Sequence, residues 1–454
     1  MLKIFNTLSR SVEEFKAINP PNVGMYACGP TVYDFQHIGH MRRYVGDDIL
    51  VRVLKFNNFD VKHVMNITDV GHLTSDADTG EDKMEKGAKE KNLSVWDLAK
   101  KFEAQFFQSS DALNIVRPNK VIKATDAIDD QIELVKILEE KEFTYKTSDG
   151  VYFDTSKIKD YGKLTGQSSK ELKAGARVEM GEKKHPTDFA LWKFSGEAKR
   201  QMEWDSPWGK GFPGWHVECS AMSMKELGPT FDIHTGGIDH IAIHHTNEIA
   251  QSEAASGKPF VKYWVHHAFL LVNGAKMSKS LGNFITVQDV EKKGFDPISL
   301  RYLYLQTHYK QEMNFTWKAL QASQNALEKL RKEVSTYDKP EIGCAEYEQR
   351  FESVINNDLN MPEALAIVWE LIKSDYPTPA KAQSLQKFDE VLGLGLFKSR
   401  KEAEIPEDVQ ELVKERDELR KKRRFHLADQ LRNKILKMGY EVHDDDGATV
   451  VKKV

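Results

Sequence analysis

The sequence predicts an α/β protein: a Rossmann-like parallel sheet, interrupted by an insertion and followed by an α-helical C-terminal region. Three observations carry that reading. Residues 23–40, VGMYACGPTVYDFQHIGH, run from a strand through a Gly-Pro break into a helix start; a second strand follows that helix; and beyond residue 297 the apolar spacing is helical throughout.

The elements follow in order. Val23, Met25 and Ala27 alternate with Gly24, Tyr26 and Cys28, giving a strand over 23–29 that Gly29-Pro30 ends. A helix over about 39–56 puts Tyr44, Ile49, Val53 and Phe56 on one apolar side, and a strand over 61–68 completes a βαβ unit whose strands are expected to be parallel. The polar, glycine-containing stretch 66–92 reads as a loop able to close over a ligand. Ser94, with Asp97 three residues on, reads as a helix start of the capping-box type. Thr125 is the expected cap of a helix carrying Ile128, Ile132, Val135 and Leu138, and a short strand follows at 150–155, inside an insertion over about 115–200. The sheet then resumes with strands at 231–234 and 260–272, around a helix over 243–256 that Gly257 ends. Helices are expected over 298–309, 318–337, 361–373, 385–392, 409–424 and 426–438.

Composition narrows the class. At 454 residues the chain can bury two or three cores. Its 65 basic and 69 acidic residues nearly balance, so any polyanion-binding surface must be local. One local excess exists: between Lys414 and Lys437 stand ten basic residues against four acids, readable as an RNA surface or as a solvated helical face. No apolar run reaches the roughly 18 residues of a membrane span, and the segment MLKIFNTLSRSVEEF lacks the order of a signal peptide, so a soluble, cytoplasmic protein without membrane contact is expected. Three cysteines, Cys28, Cys219 and Cys344, are too few for a disulfide framework and leave metal binding open.

Two motifs point to chemistry. In a parallel sheet, the junction at 28–40 lies at the carboxyl end of a strand, where the free N–H groups and dipole of the incoming helix favour an anion such as a nucleotide phosphate. His37 and His40 flank Gly39, which removes a side chain that would block close approach. Alone, HIGH is readable as an ordinary helix start. Far downstream, after an apolar run and an Asn-Gly turn, comes KMSKSLGN, with Lys276 and Lys279 three apart; alone it is readable as a solvated loop. HIGH and KMSKS together resemble the signature pair of class I aminoacyl-tRNA synthetases.

Cys28, Cys219, and the pair His244 and Glu248 four apart on one predicted helix face form a chemically plausible zinc set of two thiolates, an imidazole and a carboxylate. Each residue alone is equally readable as core or as a local hydrogen-bonding group, and their spacing is that of no zinc finger.

The segments CGPTVYDFQHIGH, NITDVGH, PGWHVECSAM, DIHTGGIDH, HHTNEIAQ and KMSKSLGN, in this order, resemble the cysteinyl-tRNA synthetase family over nearly the whole chain. The resemblance implies a Rossmann-type catalytic domain over 1–310 containing the insertion, a helical bundle over 311–395 and an anticodon-binding region over 396–454. It implies one Zn²⁺ held by Cys28, Cys219, His244 and Glu248, and Mg²⁺ accompanying ATP. His37, His40, Lys276 and Lys279 are expected to be catalytic, with Thr31, Gly39 and Asp239 also at the ATP. Thr68, Trp215 and His234 are expected at the cysteine pocket, with His245 and Asn247 supporting the metal ligands. The partners implied are L-cysteine, ATP and tRNA(Cys), with the protein a monomer. A cysteine ligase acting on an amino sugar shares the catalytic pattern but gives no use to the basic C-terminal helices. Val450 and Val451 stand where the family commonly has a tryptophan, and HIAIHH replaces an apolar-Phe-Pro run.

Overall fold

The computed structural model describes residues 1–71, 82–166, 181–196, 200–278, 281–397, 406–445 and 448–453. It divides into two compact units, Met1–Leu396 and Phe397–Val454. The first is built on β1 (Asn22–Ala27), α1 (Ile38–Phe56), β2 (Asp60–Ile67), β3 (Lys120–Lys123), α2 (Trp215–Leu227), β4 (Phe231–Gly237), α3 (His244–Ser256) and β5 (Val261–His267). The strands pair in the order β5-β4-β1-β2-β3, all parallel. This is the doubly wound Rossmann order. From β1 the chain winds outward to β2 and β3, then returns to lay β4 on the other side of β1, which leaves a crevice at the carboxyl ends of β1 and β4. Tyr26 pairs with His234 and Ala27 with Thr235 across that boundary.

Burial explains the strand sequences. Covered on both faces, β1 and β2 bury Val23, Met25, Tyr26, Ala27, Val61, Val64, Met65 and Ile67, so an apolar run replaces strict alternation. On α1 the predicted apolar side is present, but Arg42, Asp47 and Asp48 are buried as well. Each is held by partners: Arg42 donates to the carbonyls of Ala268, Phe269, His308 and Gln311, while Asp48 pairs with the buried Arg301 at 2.6 Å.

Several expectations are corrected. Residues 260–272 are not one strand: β5 ends at His267, and Leu270–Val272 joins a separate small sheet between Ala275–Lys276 and Met313–Phe315. The Arg42 guanidinium takes the carbonyls of Ala268 and Phe269, and Met313 N–H shares that of Phe269, so neither continues β5. Thr125 does not cap the helix Ile128–Glu140; its N–H and hydroxyl both donate to Asp69, at 3.0 and 2.6 Å. The parallel sheet reaches into the stretch read as an insertion through β3, and beyond it Thr144–Lys146, Gly150–Phe153, Phe189–Phe194 and Gly211–Pro213 form a separate antiparallel sheet. Within the stretch read as a loop, Lys83–Lys91 is a helix capped by Asp82. The rest of that stretch, 72–81, lies outside the described residues. Ser94 caps its helix as expected, accepting from Asp97 N–H.

Helices Pro297–Leu305, Trp317–Val334, Met361–Lys373 and Thr378–Leu392 stand where expected, the last starting a full two turns earlier because Pro379 is tolerated in a first turn. Ala345–Ile355 is an additional helix; only Phe351 and Ile355 on it are buried, too weak a stripe to read. In the second unit, Glu407–Lys421 and Phe425–Lys437 enclose a small core of Val409, Ile435 and Val442 with an antiparallel hairpin, Tyr440–Asp445 and Ala448–Lys453, that the sequence reading did not assign.

Candidate active site and metal centre

The turn after β1 is shaped by backbone contact. A Cβ on Gly29 would run into the carbonyl of Asn66, and Gly29 N–H donates to Asn66 Oδ1 at 2.7 Å, so only glycine lets the strand end pass this close to β2. Thr31 and Thr68 continue the β1–β2 pairing as an isolated bridge. The chain then enters α1, whose N-cap is His37: its Nδ1 accepts from His40 N–H at 3.1 Å, and the two rings stack with centroids 3.5 Å apart. Burial lowers the pKa of His37 to about 4, so its ring is neutral at pH 7.

The segment just after KMSKS lies beside this helix start. Ile38 N–H donates to Ile285 O at 2.9 Å, His37 bridges Thr286, and Phe284 meets the His37 ring edge-on. A Cβ on Gly39 would meet Met277 Cε at 2.7 Å and His37 Cε1 at 3.0 Å, so its bareness also makes room for Met277. Lys276 is exposed, its ammonium 5.4 Å from the Phe269 ring. Lys279 lies outside the described residues.

Across the crevice, the four residues scattered over 220 positions of sequence converge. Cys28 at the end of β1, Cys219 on α2, and His244 and Glu248 on α3 bring one donor atom each within 4.8 Å of one another, all buried. Glu248 Oε1 is 3.0 Å from His244 Nε2 yet accepts no hydrogen bond among the described residues, while Oε2 is 2.9 Å from His234 Nε2. Burial pushes the Cys28 thiol up, and the adjacent Cys28 together with burial pushes Cys219 up much further. Burial opposes charge on Glu248, but His234 and His244 outweigh it and hold the carboxyl at about 2. Burial likewise opposes charge on His244, but Glu248 and Cys219 raise it to about 10. Two thiols held neutral by burial, converging with an imidazole and a carboxylate, make a site that a soft divalent cation fits: it would stabilise both thiolates and take the place of the proton between His244 and Glu248.

The surrounding residues fall into place by fold. The Trp215 ring lies over His244, centroids 4.3 Å apart. His234 is fully buried on β4, Thr68 is buried at the end of β2, and Asp239 is exposed in the turn Ile238–His240. His245 Nε2 is 3.3 Å from Cys28 Sγ, and its Nδ1 is 2.7 Å from His266. Asn247 turns away from the tetrad to accept from the Tyr161 hydroxyl.

Sequence reading passed over other residues. His216 Nδ1 is 3.0 Å from His244 Nδ1, orienting that ring from behind. Arg43, half-buried, donates to the Cys28 carbonyl and pairs with Asp47 at 2.9 Å; Asp47 also lies 3.0 Å from His267. Arg43 follows HIGH so closely that the motif gave its only signal; the histidines carried none beyond their number.

Known proteins match this geometry. The model of the tRNA synthetases class I (C) catalytic domain matches residues 14–325, and that of the cysteinyl-tRNA ligase anticodon binding domain matches residues 402–451. The chain resembles in fold a Mycobacterium tuberculosis methionyl-tRNA synthetase in complex with methionyl-adenylate, at TM-score 0.58 and 16% identity over 82% of this chain and 90% of that one. Sheet order, paired signatures and these matches make the chain a class I aminoacyl-tRNA synthetase. It is 48% identical to cysteine–tRNA ligase 1 of Burkholderia lata over 98% of this chain and 95% of that protein, and 42% identical to the cysteine–tRNA ligase of Treponema denticola over the full length of both. Within its class, the chain belongs to the cysteine–tRNA ligase family.

Proposed function

We propose that this chain activates L-cysteine with ATP, giving cysteinyl-adenylate and pyrophosphate, and transfers the cysteine to the terminal ribose hydroxyl of tRNA(Cys). One observation carries the cysteine reading: a buried two-thiol, imidazole and carboxylate tetrad stands at the same sheet edge as the HIGH helix start. Cys28, Cys219, His244 and Glu248 would hold one Zn²⁺. Bound there, zinc supplies a soft Lewis acid that prefers the thiolate of cysteine to the hydroxyl of serine, a near-isostere that an apolar pocket would reject poorly.

The remaining work belongs to the protein. In this reading Trp215, whose ring lies over His244, lines the cysteine side of the metal ligands together with Thr68 and His234, and His216 and His245 orient His244 and Cys28. On the nucleotide side, the His37 ring accepts at Nδ1 from its own helix, so its Nε2–H is the group left to donate to a phosphate oxygen. His40 and the α1 N-terminus add donors from the same direction, with Thr31, Gly39 and Asp239 lining the ATP. Lys276 and Lys279, brought over the phosphates by the loop that rests on Gly39, balance the charge that develops as the α-phosphate is attacked. ATP arrives with Mg²⁺.

Residues 1–310 form the catalytic domain in this reading, 311–395 a helical bundle, and 396–454 the anticodon-binding region, where the basic residues between Lys414 and Lys437 meet RNA phosphates. The chain acts as a cytoplasmic monomer; no helix among the described residues is long and apolar enough to cross a membrane. The test is charging of total tRNA with labelled cysteine, with serine and an amino-sugar acceptor alongside. Charging with cysteine alone is expected; transfer to the amino sugar would replace this reading with that of the related ligase.

A further inference from the structure

We infer that Glu218 is a positioning residue for recognition of the substrate α-ammonium, acting through the hydroxyl of Thr68. The inference rests on the proposed placement of Thr68 at the cysteine pocket and goes beyond it by assigning a role to Glu218.

The four groups form one directional chain. Gly29 N–H donates to Asn66 Oδ1 at 2.7 Å, which fixes the orientation of that amide and turns its NH₂ the other way. Asn66 Nδ2 then donates to Thr68 Oγ1 at 2.9 Å. Thr68 Oγ1 in turn donates to Glu218 Oε2 at 3.1 Å. Asn66, Thr68 and Glu218 are all buried, with Glu218 0% exposed. A hydroxyl has one proton and two lone pairs. Here the proton is committed to Glu218 and one lone pair to Asn66, so the remaining lone pair is all that Thr68 can offer, and a carboxylate beyond it strengthens that pair as an acceptor.

An acceptor that cannot turn into a donor selects for a cation with N–H bonds. The backbone holds Thr68 in this position from both sides, since Val32 N–H donates to Thr68 O and Thr68 N–H to Pro30 O, each at 3.1 Å. Glu218 lies on α2, one residue before the proposed ligand Cys219 and one helical turn after Trp215.

Glu218→Met keeps the length of the side chain and removes the acceptor. In the zinc-loaded full-length protein, it is expected to weaken L-cysteine binding about tenfold while leaving binding of 3-mercaptopropionate, which has the thiol and carboxylate but no ammonium, within about twofold. Zinc content and the KM for ATP should stay at the parent values. Glu218→Gln, which retains an acceptor oxygen, and Thr68→Ser should recover most of the cysteine affinity, whereas Thr68→Val should lose it as Glu218→Met does. Equal loss for both thiols, or no loss for either, would overturn the role; if Glu218→Met does not fold, the Thr68→Val and Thr68→Ser pair decides by the same ratio. Failure of the parent protein to bind cysteine at all would count against the proposed function instead.

Discussion

The two sides of the crevice are built on opposite principles. On the thiol side, Cys28, Cys219, His244 and Glu248 are buried and ringed by further histidines, and three different elements must meet to form the site. On the side of HIGH and KMSKS, the proposed nucleotide side, His40 and Lys276 are exposed, and the groups come from one helix start and one later segment. Selection of a small substrate by metal chemistry needs a fixed, water-poor cage, whereas a triphosphate that enters and leaves each turnover needs donors that can be covered and uncovered. Changes on the two sides should therefore fail in different ways.

The largest effect is expected on the buried side. Cys219→Ser removes a soft ligand from a site with no slack, so zinc content and cysteine-dependent pyrophosphate exchange should fall together, the latter by about 100-fold or more. Full exchange by a zinc-free variant would separate the two. On the open side, Lys279→Ala should slow adenylate formation about 100-fold while cysteine binding, measured by equilibrium titration, stays within about twofold. An unchanged exchange rate would take that lysine out of the mechanism and leave the charge compensation to Lys276 and the helix start.

A smaller effect sharpens the contrast. His37 is held at about 4 in the fold, below its ordinary 6.5, by burial. Its neutral form is thus stabilising above pH 6.5, and that contribution is lost as pH falls from 6.5 towards 4, because the unfolded chain takes up a proton that the folded one refuses. The kcat/KM for ATP, which reports the free enzyme, should accordingly show no inflection from His37 between pH 6 and 8. An inflection near 6.5 that disappears in His37→Asn would show the ring titrating normally.

The same contrast governs what could be read from the chain beforehand. HIGH and KMSKS are local patterns, as is the βαβ unit around HIGH, so the parallel sheet and the two motifs were legible from spacing and turn residues. The thiol end was not: Cys28 and Glu248 meet only because β4 inserts beside β1, and the four ligands were named by resemblance rather than spacing. His216, Asp47 and Glu218 had no signature of their own, and Arg43 had only its place after HIGH, since each matters through the partner that the fold gives it. The misread segments have equally local causes. Residues 260–272 are evenly apolar, and nothing in them marks the point where Arg42 ends the strand. Thr125 reads as a cap, but it lies inside a short 3-10 turn, Ala124–Ala127, that leads into the helix, and it is anchored there by donating to Asp69.

The central claim is that the buried tetrad chooses cysteine. Its most direct test is pyrophosphate exchange with cysteine and with serine, measured side by side on the zinc-loaded protein and on the same protein after chelation. Cysteine should be preferred by several orders of magnitude when zinc is bound, and the preference should collapse along with cysteine activation when it is removed. A chelated protein, verified free of zinc, that still activates cysteine and still rejects serine would contradict the account.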